Sequence, residues 1–197
     1  MTAPFRRDPD HSYWLGARKL PGVTRVLDAA GASKYEGVPR SVLADRADFG
    51  TRVHLATWYD DEGDLDESTV TPDVLGCVVA WRKFRAEAKF EPSAAELAVY
   101  SEQYRYGGTL DRVGVFHGTI SGLVDIKAVR TLQPATALQT AGYARAASEM
   151  GAFDAIERYA VQLFEDGTYK AQPYDDPADF SDFLCALRLW RRFRGTP

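Results

Sequence analysis

The spacing of hydrophobic positions changes period repeatedly along the chain, dividing it into helical and extended blocks. From Ser41 to about Tyr59, starting after Pro39, the residues Leu43, Ala47, Gly50, Val53, His54 and Thr57 or Trp58 recur at the interval of one helix face. Pro72 to Lys89 repeats that interval through Val74, Val78, Trp81 and Phe84 or Arg85. From Ala95 the period falls to two. Glu96 to Tyr100, Tyr104 to Val115 and Ile120 to Val129 alternate as strands. A turn at Phe116-His117-Gly118-Thr119 separates the last two, and Gly107-Gly108 allows a bulge or a close approach. Helical spacing returns over Pro134 to about Met150 and stops at Gly151. Ile156 to Phe164 and Tyr169 to Tyr174 read as a hairpin turning at Glu165-Asp166-Gly167, and Pro177 to Phe193 as a closing amphipathic helix. At the front, Met1 to Leu20 forms a short strand or an irregular arm. The turn Pro21-Gly22-Val23 then leads through a capping Thr24 into a short helix, Arg25 to Ala30, closed by Gly31.

This order predicts one α/β (α+β) domain over residues 1–197, with a central mixed sheet flanked by helices and neither repeat nor linker. At 197 residues, 45% hydrophobic and 12% aromatic, the chain has enough apolar material for a substantial core and is not of disordered composition. Its apolar runs are too short to span a bilayer, and its first residues lack the apolar stretch of a signal peptide, so no membrane partner and a cytoplasmic location are expected. The net charge of −4 leaves no overall basic footprint. That disfavours a nonspecific nucleic-acid coat but not a nuclease, whose bound cations restore local positive potential. Cys77 and Cys185 are expected as two buried thiols, with no disulfide framework or cysteine metal cluster. The acidic run Asp60 to Glu67 lacks the spacing of a calcium loop and reads as a solvated turn.

The candidate chemistry lies in the extended block. Asp125 and Lys127, two apart in a strand, project to one face while Val124 and Ile126 project to the other. If the segment carrying Asp111 pairs with this strand, two carboxylates converge beside an ammonium. That is a hard oxygen site for Mg²⁺ or Mn²⁺ suited to cleaving a phosphodiester. Taken alone, an acid-x-lysine triplet is also an ordinary surface ion pair.

Four features line up in order: His54 following Gly50-Thr51-Arg52-Val53, then Gly108-Thr109-Leu110-Asp111, then Asp125-Ile126-Lys127, then Gln139-Thr140-Ala141-Gly142-Tyr143. Together they resemble the PD-(D/E)XK nuclease superfamily, with its restriction-endonuclease-like core, and specifically the RecB-like and phage-type exonuclease branch. The stretch Leu20 to Leu27 resembles the start of phage-encoded members. The resemblance implies a metal-dependent deoxyribonuclease, an exonuclease in phage-type DNA recombination, repair or processing. Asp111 and Asp125 would be metal-binding acids, joined by His54 and the backbone carbonyl of Ile126, and Lys127 the catalytic lysine. Gln139 and Tyr143 would flank the site and contact DNA. Glu96 would be an upstream supporting acid acting through water or a second bond, with Glu102 as its alternative.

Arg105, Arg112 and Arg130, close in sequence to the acids, are candidates for gripping the DNA backbone. Arg188, Arg191, Arg192 and Arg194, interleaved with Trp190 and Phe193, read either as a DNA-guiding tail or as the solvated side of an amphipathic helix. His117 reads as a structural turn residue. With only two cysteines, no iron–sulfur cluster is expected. No nucleotide-binding loop of a helicase motor is present. The implied partner is DNA, its ends single- or double-stranded, and the reading leaves room for a recombination protein and for self-association. Two alternatives stay open: a catalytically inactive nuclease-fold module that binds DNA or protein, and a structure- or sequence-selective endonuclease.

Overall fold

The computed structural model describes residues 4–32, 37, 39–151 and 156–194. Three short strands, β1 (Phe5–Arg7), β2 (Tyr13–Leu15) and β3 (Arg18–Leu20), pair antiparallel into a small sheet. They are followed by α1 (Val23–Ala29), α2 (Arg40–Glu62) and α3 (Pro72–Ala88). Next come β4 (Phe90–Ser101), β5 (Tyr106–Phe116), β6 (Ile120–Lys127) and α4 (Ala135–Glu149). The strands β7 (Glu157–Leu163) and β8 (Tyr169–Tyr174) and the helix α5 (Ala178–Arg194) complete the order. Strands β4 to β8 lie in chain order in one five-stranded sheet. It is antiparallel except at β6–β7, which run parallel because α4 carries the chain back across the sheet.

Each face of this sheet is covered by helices. Val26 of α1, the Ala-rich side of α4 and Phe183 and Leu187 of α5 pack on Val99, Leu110, Val113 and Leu123. On the other face, Val53 of α2 and Val78, Trp81 and Phe84 of α3 pack on Phe90, Phe116, Val124, Ile126 and Val161. The expected α/β class, a mixed sheet between helices, is therefore the one found. Among the described residues no helix is long and apolar enough to cross a membrane.

Four local expectations are corrected. First, α2 continues to Glu62 and ends at Gly63, whose φ of 72° is the left-handed cap conformation. Asp60 and Asp61 are consequently not solvated: Arg82 pairs with Asp60, while Arg85, Arg112 and the Trp81 indole converge on Asp61. Cations from α3 and β5 neutralise an acidic run that in isolation favours a turn. Second, Lys89 takes a φ of 47° and turns the chain directly into β4, which starts at Phe90. Third, Gly22, not Thr24, caps α1. Fourth, Cys77 is buried but Cys185 is exposed on α5.

The front of the chain is the small sheet rather than an irregular arm, and it docks through Tyr13. A Cβ at Gly107 would lie 2.8 Å from Cβ of Tyr13, so this approach needs glycine. On α5, Leu187 is buried and Leu184 and Trp190 pack on the core, while Arg188 and Arg192 are exposed. That is the amphipathic arrangement; the Arg194 side chain lies outside the described residues.

Candidate active site

Three neighbouring strands place three acids in a row. Ala95 pairs with Arg112 and Leu97 with Leu110, so Glu96 stands across from Asp111. Arg112 pairs with Val124, which sets Asp111 across from Asp125. The strands are irregular at this point. Glu96 has a φ of 49°, a left-handed conformation that costs a non-glycine residue about 1–3 kcal/mol. On β5, Leu110 and Val113 point to the α4 side, whereas Arg112 points to α2. The alternation slips at Asp111. Strain of this size persists only where surrounding packing imposes it, and here it aims Glu96 at its neighbours.

α2 brings His54 over the row. Its Nδ1 lies 3.7 Å from Glu96 Oε1 and 3.6 Å from Asp111 Oδ1. One ligand atom from each of the three lies within 4.8 Å of the others. The other ring nitrogen, Nε2, is 3.0 Å from the Ile126 carbonyl. A carbonyl only accepts, so Nε2 carries the hydrogen and Nδ1 faces the carboxylates. The Ile126 N–H donates to Asp111 Oδ2 at 2.7 Å. The main chain of Ile126 thus orients two of the three groups. Its carbonyl, the expected ligand, accepts from His54.

Asp125 and Lys127 share a face, as alternation predicts. Lys127 Nζ is 2.8 Å from Asp125 Oδ2. The Asp125 side chain is 1% exposed, yet neither of its oxygens accepts a well-directed hydrogen bond. Lys127 Nζ also donates to Gln139 Oε1 at 3.3 Å, and Gln139 Nε2 donates to the Tyr143 hydroxyl at 3.1 Å. Tyr143 reaches this position because β5 offers glycine beneath it: a Cβ at Gly108 would come within 2.4 Å of Tyr143 Cε1.

Charge follows the geometry. Burial pulls His54 down, but Asp111 and Glu96 outweigh it and hold the imidazole above its ordinary pKa. Burial pushes Glu96 up, and the His54 hydrogen bond and charge, with Arg112 and Arg7, bring it below the usual carboxylate value. Burial pushes Asp125 up to about 6, against the pull of Lys127 and with the help of the Asp111 charge. Burial alone would lower Lys127; Asp125 and Asp111 more than reverse that, and the side chain stays an ammonium.

These residues fit a divalent cation. An imidazole nitrogen and two carboxylates suit a hard-to-borderline ion. A metal-binding histidine characteristically donates its far N–H to a carbonyl, as His54 does. Asp125 is buried, and beyond its ion pair with Lys127 its oxygens have no hydrogen-bond partner among the described residues. One ligand atom each from His54, Glu96 and Asp111 could reach a single ion, and Asp125 stands beside these three.

The other sequence candidates are placed elsewhere. Arg112 is 0% exposed and bound to Asp61, so it does not face a DNA strand. Arg105 sits in the β4–β5 turn, separated from Asp111 by about 20 Å of strand. Arg130 is exposed just past β6. Tyr143, by contrast, is 3% exposed, borders the cleft and accepts a hydrogen bond from Gln139. Glu102 lies in the same distant turn as Arg105, and His117 in the β5–β6 turn.

The small front sheet contributes residues with no sequence signal. Arg7 Nη1 donates to Thr109 Oγ1 at 3.1 Å and to the Glu96 carbonyl at 3.4 Å, and the Tyr13 hydroxyl lies 3.0 Å from Thr109 Oγ1. Strands of three residues carry too little periodicity to be placed. Thr109, inside Gly-Thr-Leu-Asp, is the one member whose motif pointed to it. Together they border a cleft of about 950 Å³. Its floor includes His54, Glu96, Asp111 and Gln139; Arg7, Lys19 and Arg25 line it from the front of the chain, and Leu55 and Trp58 from α2.

No family model matches the chain, and no curated protein matches it. Among solved structures, it is similar to an alkaline exonuclease (LHK-Exo) from Laribacter hongkongensis, at 13% identity and a TM-score of 0.37, over 88% of this chain and 90% of that one. Likeness at that level says nothing about activity.

Proposed function

We propose that the protein is a Mg²⁺- or Mn²⁺-dependent deoxyribonuclease, an exonuclease acting on DNA ends in recombination, repair or processing. One observation carries the reading: His54, Glu96 and Asp111 close to within 4.8 Å beside a buried Asp125 paired with Lys127. The exonuclease class and the choice of DNA rest on the ordered motifs that resemble the RecB-like and phage-type branch.

His54, Glu96 and Asp111, with Asp125 alongside, would hold a cation, which would supply Lewis acidity toward a phosphoryl oxygen and lower the pKa of a bound water. Lys127, kept as an ammonium by its acidic neighbours, is a hydrogen-bond donor and not a base. It stabilises charge developing on phosphoryl oxygens. Gln139 and Tyr143 limit where that ammonium can swing. Arg7, Lys19 and Arg25 offer charge to phosphates along the cleft, and the exposed Leu55 and Trp58 offer an apolar surface to bases.

The test is cleavage of end-labelled linear and closed circular DNA, single- and double-stranded, with Mg²⁺, Mn²⁺ or EDTA. Metal-dependent loss of linear DNA alone, abolished in Asp125→Ala and Lys127→Ala, is the expected result. Nicking of circles would move the assignment to an endonuclease. Binding without cleavage, indifferent to both substitutions, would leave a binding module.

A further inference from the structure

We infer that Arg112 is a positioning residue for the metal centre, a buried guanidinium that ties the backbone of His54 to that of Asp111 from within the core. The inference rests on the metal-centre reading above. Arg112 Nη1 donates to the Asp111 carbonyl at 2.8 Å, and Nη2 donates to the His54 carbonyl at 3.4 Å and to Thr57 Oγ1 at 3.1 Å. Nε donates to Asp61 Oδ2 at 2.6 Å. The side chain thus grips the main chain of two of the three residues that converge on the candidate cation position, without lining the cleft itself.

The anchoring is built from one helix face. His54, Thr57 and Asp61 stand at i, i+3 and i+7 on α2 and share a stripe. Asp61 in turn accepts from Arg85 Nη1 and from Trp81 Nε1, each at 2.8 Å, which fixes the carboxylate that fixes the guanidinium. Thr57 Oγ1 donates to the His54 carbonyl at 3.0 Å, closing a small ring around it. Through this set, the rotation and axial position of α2 are referred to β5 at Asp111. Those two variables set the separation of His54 Nδ1 from the Asp111 carboxylate.

Stability alone is a poor reason for such an arrangement. Removing a guanidinium and a carboxylate from water costs several kcal/mol before their attraction is counted, and well-packed apolar residues often do as well or better. What apolar residues lack is a rigid planar fork that reaches two carbonyls and a carboxylate at once. Lysine lacks it too, since it offers one point of charge.

The experiment is calorimetric titration of Mn²⁺ into wild type, Arg112→Lys and Asp61→Asn, each checked by circular dichroism and melted. Arg82→Lys serves as control, since among the described residues Arg82 pairs with the outlying Asp60 and Glu67 and with none of the cluster around Arg112. Loss of a group that orients metal ligands weakens metal affinity by about 10- to 100-fold. That loss is expected in Arg112→Lys and in Asp61→Asn, measured well below their melting temperatures, with Arg82→Lys unchanged. At saturating Mn²⁺, the KM for a short DNA should stay near wild type while kcat falls. Wild-type Mn²⁺ affinity in both Arg112→Lys and Asp61→Asn, whatever their melting temperatures, would overturn the inference and leave Arg112 a purely structural residue. If Arg112→Lys does not fold, Asp61→Asn decides alone. Failure of wild type itself to bind Mn²⁺ would instead overturn the metal centre, and this inference with it.

Discussion

Gly108→Ala is the substitution whose consequences the packing defines most closely. The added Cβ would lie 2.4 Å from Cε1 and 2.9 Å from Cδ1 of Tyr143, and 3.4 Å from Val23 Cγ2. Carbon atoms in contact settle at about 3.5–4.0 Å, so the ring must move by about 1 Å. Tyr143 is 3% exposed at the border of the cleft, so the shift disturbs its buried neighbours. Overpacking of this kind costs about 1–3 kcal/mol. At about 2–4 °C per kcal/mol for a domain of this size, Tm should fall by about 2–12 °C. The displaced hydroxyl releases Gln139, which then no longer restrains Lys127. Misplacement of a reacting group by about 1 Å lowers rate by up to about 100-fold, so kcat on a labelled linear DNA should fall by about 10- to 100-fold. Mn²⁺ affinity should hold, since the Tyr143 hydroxyl bonds to Gln139 and Thr24 and to none of His54, Glu96 and Asp111. An unchanged Tm would refute the packing. A lowered Tm with an unchanged kcat would refute the link from Tyr143 through Gln139 to Lys127.

Three further outcomes are expected. Mn²⁺ should bind more tightly than Mg²⁺ in calorimetry, because an imidazole ligand suits the former and Mg²⁺ prefers oxygen alone; equal affinities would remove His54 from the ligand set. His54 is held above the ordinary imidazole value of about 6.5, so metal-free stability gained from its protonation is full below about pH 6.5 and is lost as pH rises through the raised value. Mn²⁺ affinity should climb over that same interval as Nδ1 sheds its proton, and His54→Gln should flatten both profiles. Trp58→Ala should weaken binding of a single-stranded oligonucleotide by about 1–3 kcal/mol in a fluorescence titration, with Mn²⁺ affinity unchanged; unaltered binding would exclude base stacking on α2.

Much of the frame is readable from residues alone because it rests on local periodicity. Period two across Ile120 to Lys127 sets Asp125 and Lys127 on one face, and the turns at Gly118 and Gly167 mark real strand connections. What was not legible depends on distant partners. Arg112 and Arg130 look alike in sequence, yet one is buried against Asp61 and the other exposed, and only the packing of α2 on β5 separates them. Asp60 and Asp61 read as solvent-facing because Arg82, Arg85 and Arg112, which neutralise them, lie far along the chain. Glu96 was pointed to only by the resemblance, as a supporting acid, and not by any local pattern of its own. Its place beside His54 follows from a φ of 49° and from pairing with β5, which no local pattern encodes. Arg7 and Tyr13 reach Thr109 only because a small sheet of three-residue strands docks there.

The central claim is most directly tested by restoring Mn²⁺ to EDTA-treated protein and following nucleotide release from end-labelled linear DNA. Release should begin only with the metal. Glu96→Gln should raise the Mn²⁺ concentration required, and Lys127→Ala should lower the rate at every concentration. Release that ignores EDTA, or both variants tracking wild type, would contradict the account.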